Sequence, residues 1–131
     1  VQGHGGILIE QLKKLHLHLD AQPGDRVFWF TTTGWMMWNF LVGVLAVGSA
    51  IVLFDGNPGW PDLGALWRLA QEAEVTYFGT SAPFLLACRK AGVEVPELPK
   101  LRGRRLGCWC PEGQPCHARV LAELADQEVN A

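Results

Sequence analysis

The densest group of side chains able to do chemistry lies near the C-terminal end. Cys108, Cys110, Cys116 and His117 fall within ten residues of one another. Residues 104–109 read as a strand, and side chains two apart in extended backbone share a face. Cys108 and Cys110 therefore present their thiols on one side and Trp109 on the other. Cys116 and His117 open a helical segment, residues 116–127, directly after Pro115. The loop 111–115 can bring the two ends together. Three chemistries fit such a set. Three thiolates and an imidazole are a complete ligand inventory for a tetrahedral metal, zinc above all. The spacing C-x-C-x5-C-H is not a common finger spacing, and Cys116 and His117 would have to converge on one ion from adjacent positions. Alternatively, Cys116 at a helix N-terminus favours the thiolate, and His117 and Arg119 add positive charge, giving an anion site or a reactive thiol. Third, the thiols act as small buried apolar groups beside a satisfied histidine.

Elsewhere such residues are sparse. His16 and His18 sit beside Lys13 and Lys14 and read as exposed or capping residues. His4, in Gly3-His4-Gly5-Gly6, has no evident partner. No Ser-His-Asp set can be read. Glu72 and Glu74 have ordinary surface spacing near a helix end. Neither G-x-x-x-x-G-K-[ST] nor G-x-G-x-x-G occurs anywhere in the chain, so neither common phosphate cradle is encoded.

The elements that must position these residues follow from composition and pattern. A length of 131 residues points to one domain with a modest core. With 49% hydrophobic and 18% charged residues, the chain is not a disordered one. A formal net charge of −2 gives no bulk attraction for nucleic acid. Six of the eleven basic residues, Arg89, Lys90, Lys100, Arg102, Arg104 and Arg105, crowd one stretch. That stretch is a solvated flank or a local anion patch. Residue 1 is Val rather than Met, which points to a start further upstream. No signal peptide is readable, so the four cysteines are expected as thiols or metal ligands in a reducing cytoplasm.

Residues 27–54 contain no charged side chain, and residues 36–54 are long enough for a membrane span. Gly48-Ser49 nevertheless divides that stretch into a helix-like half and a β-branched half. A buried helix followed by a buried parallel strand gives the same uncharged profile, and it is the expected arrangement here.

The pattern predicts a helix after Gly5-Gly6 with Leu8, Leu12, Leu15 and Leu19 on its apolar face. Gln22-Pro23-Gly24-Asp25 is a turn. Residues 26–30 are a strand, 31–34 a loop, 35–47 a fully buried helix and 50–55 a second strand. Residues 56–61 break the chain, and an amphipathic helix from Asp62 carries Leu63, Leu66, Trp67 and Ala70 inward. Residues 75–79 form a third strand and 82–91 a helix that stops at Gly92. Residues 93–100, with Pro96 and Pro99, read as a linker. The fold class expected is α/β, a mostly parallel sheet of about four strands alternating with helices through right-handed crossovers.

Several of these segments resemble a known family. Val1-Gln2-Gly3-His4-Gly5-Gly6-Ile7-Leu8 is similar to the text that follows the phosphate-binding loop of acetoacetyl-CoA synthetases, members of the adenylate-forming acyl-CoA synthetase superfamily. Phe28-Trp29-Phe30-Thr31-Thr32-Thr33-Gly34-Trp35-Met36-Met37-Trp38-Asn39 is a far more specific match. So is Val52-Leu53-Phe54-Asp55-Gly56-Asn57-Pro58-Gly59-Trp60-Pro61-Asp62-Leu63. Phe78-Gly79-Thr80-Ser81-Ala82 carries the resemblance on to about Gly92. The tail, with Cys108-Trp109-Cys110-Pro111 and Gln114-Pro115-Cys116-His117-Ala118, resembles instead an uncharacterised bacterial and phage domain family.

The resemblance implies a division into residues 1–92, a partial AMP-binding segment; residues 93–100, a linker; and residues 101–131, a Cys/His strand-helix tail. It implies a parent reaction that joins acetoacetate, ATP and CoA with magnesium through an acyl-adenylate. It also implies an acyl pocket walled by Trp35, Met36 and Met37, with plain core packing as the alternative for all three. The family's phosphate loop, adenine shelf, magnesium carboxylate, ribose-binding Asp and catalytic Lys have no counterpart in the 131 residues. No catalytic residue is therefore expected, and the polypeptide alone is expected to be inactive. A metal- or anion-binding module in the tail is the second expectation. Expected partners are a small acyl substrate in the parent family and copies of the chain itself, through uncovered apolar faces. Nucleic acid and membrane are not expected partners.

Overall fold

A computed structural model of the chain describes residues 2–93. The strand expected at 104–109, the helix expected at 116–127 and the four Cys/His positions of the tail lie outside the described residues. Two compact units are present. Among the described residues, one comprises 2–55 and Glu72–Thr80, the other Gly56–Gln71 and 81–93.

The first unit is an α/β layer. Strands β1 (Arg26–Trp29), β2 (Ala50–Val52) and β3 (Tyr77–Gly79) form a parallel sheet in the order β2-β1-β3. Val27 is level with Ile51 on one side and Tyr77 on the other, while Phe28 is level with Val52 and Phe78. A central parallel strand must be apolar on both faces, and the adjacent Val27 and Phe28, which point oppositely, are both buried. Phe28 and Phe78 stack with ring centroids 5.1 Å apart. The face carrying Val27 also carries Trp29, Ile51 and Tyr77, and meets Leu15, Phe40, Leu41, Val44 and Val47 in one core cluster.

Helix α1 (His4–Leu17) covers that face with only part of its predicted stripe. Leu15 is 1% exposed and Leu12 and Leu19 pack against the cluster, whereas Leu8 is 49% exposed. Lys14 places its ammonium 4.1 Å above the Phe40 ring, a cation–π contact at the edge of the core.

The expected buried helix over 35–47 is shorter and one-sided. Helix α2 spans Met36–Gly43 and tightens into a 3-10 turn over Val44–Val47, ended by Gly48 at φ +80°. Phe40, Leu41, Val44 and Val47 are buried, while Met36, Val42 and Leu45 are exposed. The Gln11 side chain of α1 lies against Gly43, where an added Cβ would be 2.9 Å from Gln11 Cδ. Gln11 Nε2 donates to the Asn39 carbonyl at 3.3 Å across the same contact. Among the described residues no helix is long and apolar enough to cross a membrane.

β2 stops at Val52, short of the expected residue 55, and Leu53 is exposed. β3 starts at Tyr77 rather than 75; the Thr76 amide still donates to the Arg26 carbonyl at 2.9 Å, and side chains add to the contact. The Arg26 amide donates to Thr76 Oγ1 at 3.0 Å, and Thr76 Oγ1 donates to Asp25 Oδ1 at 2.9 Å. Arg26 also pairs with Glu74 and donates to the Ala73 carbonyl at 3.1 Å. Three strands are present among the described residues, against about four expected.

The second unit contains α3 (Ala65–Glu72) and α4 (Ala82–Lys90). α3 starts at Ala65 rather than Asp62; of the expected inward set Leu66, Trp67 and Ala70 are buried, while Leu63 precedes the helix and is half-buried. Asp62 organises its start. Oδ1 accepts from the Gly64 amide at 2.7 Å, and Arg68 grips both carboxylate oxygens at 3.0 and 3.1 Å. That bidentate guanidinium, with the Gly64 amide, holds the Asp62 carboxyl below its ordinary range. α4 begins at Ser81, whose hydroxyl accepts from the Phe84 amide at 3.3 Å, and has Pro83 in its first turn. It ends before Gly92 at φ +65°, a left-handed conformation that suits glycine.

Candidate functional site

In open parallel α/β sheets ligands bind outside the carboxyl ends of the strands, where the connections diverge. In the first unit β1 leads to β2 on one side, and β2 returns past β1 to β3 on the other. The segments leaving this edge are residues 30–35 after β1, residues 53–55 after β2 and Thr80 after β3. The Phe30 amide donates to the Gly79 carbonyl at 3.0 Å, so the first and third exits are tied together. Phe30 and Phe54 bring their rings within 6.2 Å, tying the first to the second.

Trp35 sits at the N-cap of α2 in extended backbone, with its amide donating to the Thr32 carbonyl at 3.2 Å. The tight turn and the helix start fix where the next side chains go. Trp35 is 65% exposed and Met36 62% exposed. Met37, one step further round the helix, packs against the core cluster. The three residues expected to wall one pocket are thus divided. Trp35 and Met36 offer an indole and a thioether to the outside, and Met37 supports them from the core. An exposed indole beside an exposed thioether makes an apolar, polarisable surface.

Thr80 was not singled out by sequence. Its hydroxyl oxygen is buried at the carboxyl end of β3 without a hydrogen-bond partner. A buried hydroxyl without a partner is uncommon. In sequence only its place between a strand and the helix cap Ser81 hints at it.

Cys88 is a buried free thiol. Burial pushes its pKa up, against a lowering contribution from Trp67, whose indole N–H donates to Sγ at 3.4 Å. Among the described residues no group of three His, Cys, Asp or Glu could hold a metal ion. At the opposite edge of the first unit a cavity of about 240 Å³ lies among Leu15, Asp20, Asp25, Phe40, Thr76 and Tyr77. Burial raises the pKa of the Tyr77 hydroxyl there.

The acetoacetyl-coenzyme A synthetase of Rhizobium meliloti (strain 1021) is 42% identical over 106 residues, covering 81% of this chain and 16% of that protein. The acetoacetyl-CoA synthetase of Danio rerio is 46% identical over 85 residues, covering 65% of this chain and 13% of that one. The solved structure of the acetoacetyl-CoA synthetase from Streptomyces lividans superposes with a TM-score of 0.70 at 61% identity, over 72% of this chain and 15% of that one. A family model described as "Domain of unknown function (DUF4326)" matches residues 67–127. That match starts inside α3, upstream of the boundary expected at residue 93. The chain is therefore similar, in sequence and in fold, to acetoacetyl-CoA synthetases over most of its length, while spanning only about 16% of theirs.

Proposed function

We propose that residues 1–92 are a segment of an acetoacetyl-CoA synthetase-type ligase and that the 131-residue polypeptide does not catalyse the ligase reaction by itself. The observation that carries this reading is the 61% identity with a TM-score of 0.70 to a synthetase of which the chain spans 15%. In the parent reaction a carboxylate oxygen attacks the α-phosphate of ATP, pyrophosphate leaves, and the thiol of CoA then displaces AMP. The first step needs backbone amides and a cation around the phosphates to offset their charge. Neither phosphate-loop motif occurs in the 131 residues. What the segment contributes is shape. Trp35 and Met36 form an apolar acyl wall at the carboxyl edge, with Met37 fixing the first turn of α2 behind them. ATP–pyrophosphate exchange with acetoacetate tests the reading. The expected result is no exchange above background; acetoacetate-dependent exchange by the purified chain refutes it.

A second reading is favoured by the family match over residues 67–127. In it residues 101–131 form a Cys/His module after a linker at 93–100, and Cys108, Cys110, Cys116 and His117 bind zinc or an anion. Zinc content after purification, and thermal stability with and without chelator, separate the two. One equivalent of zinc with a chelator-sensitive transition supports the module. A metal-free chain of unchanged stability removes the zinc form of it. A reducing cytoplasm fits the free thiol of Cys88 in either case. Exposed Leu8, Ile9 and Leu17 on α1 favour self-association, which sedimentation at increasing concentration would reveal.

A further inference from the structure

We draw no further inference here: the strongest candidate, the cavity of about 240 Å³ bordered by α1 at the amino edge of the sheet, has its two carboxylates, Asp20 and Asp25, already engaged by Gln22 and Thr76, and nothing in the structure shows what would fill it.

Discussion

Gly79 and Trp29 are level with each other on β3 and β1, and the indole lies where a side chain at position 79 would go. The obstruction is a ring packed on Tyr77 and Phe40, not the far end of a flexible chain. Gly79→Ala should therefore destabilise the chain by about 1–3 kcal/mol through overpacking, read as a lower urea midpoint. Gly6→Ala is the control. Position 6 lies within α1, and a methyl group added there would meet no neighbouring atom, so the substitution should stabilise by roughly 0.5–1 kcal/mol. Cys88 gives a test by pH. Its thiol pKa is raised by burial, so its stabilising contribution is complete below the ordinary thiol range and is lost as pH rises through the folded value. Alkylation of Cys88, followed by peptide mapping, should be slow at pH 8 in the native chain and fast in urea. Rapid native labelling would show that the Trp67–Cys88 contact does not persist.

The elements were legible in sequence where one periodicity ruled and illegible where contacts between elements decided. The core-facing Leu12 and Leu15 of α1, the inward Leu66, Trp67 and Ala70 of α3, the stop of α4 at Gly92 and the presence of three strands could be read from local pattern. The helix expected over 35–47 was legible only in part: Met36–Gly43 is α-helical, and no local periodicity announces the 3-10 turn over Val44–Val47. Likewise no local pattern announces the side-chain bonds that Thr76 makes with Asp25 and Arg26 just before β3. At the site, Trp35, Met36 and Met37 were identified by resemblance, but their division between outside and core depends on the turn that starts α2. The buried hydroxyl of Thr80 was not legible at all. The register of α1 makes a sharp prediction at this scale. Leu15→Ala should cost about 2–5 kcal/mol, as for a filled core position, while Leu8→Ala should change stability by no more than about 0.5 kcal/mol. Equal effects would mean that α1 sits on the sheet with a different face. Ser81→Ala should lower stability by about 1 kcal/mol through loss of the α4 cap.

For the molecule as a whole, the uncharged run from 27 to 54 is divided among a strand, a turn, a helix, a 3-10 turn and a second strand. Its hydropathy is that of a buried parallel layer. Over the part similar to acetoacetyl-CoA synthetases, the chain shares the fold of a small part of a much larger protein, and the proposed acyl-facing edge lies within it. Neither common phosphate-cradle motif occurs in the chain, and among the described residues no group of three His, Cys, Asp or Glu could hold a metal ion. Calorimetric titration of the purified 131-residue chain with ATP and magnesium tests this most directly. The account predicts no saturable heat in either the presence or the absence of the metal. Stoichiometric binding that requires magnesium would contradict it and would mean that these residues contain a nucleotide site of their own.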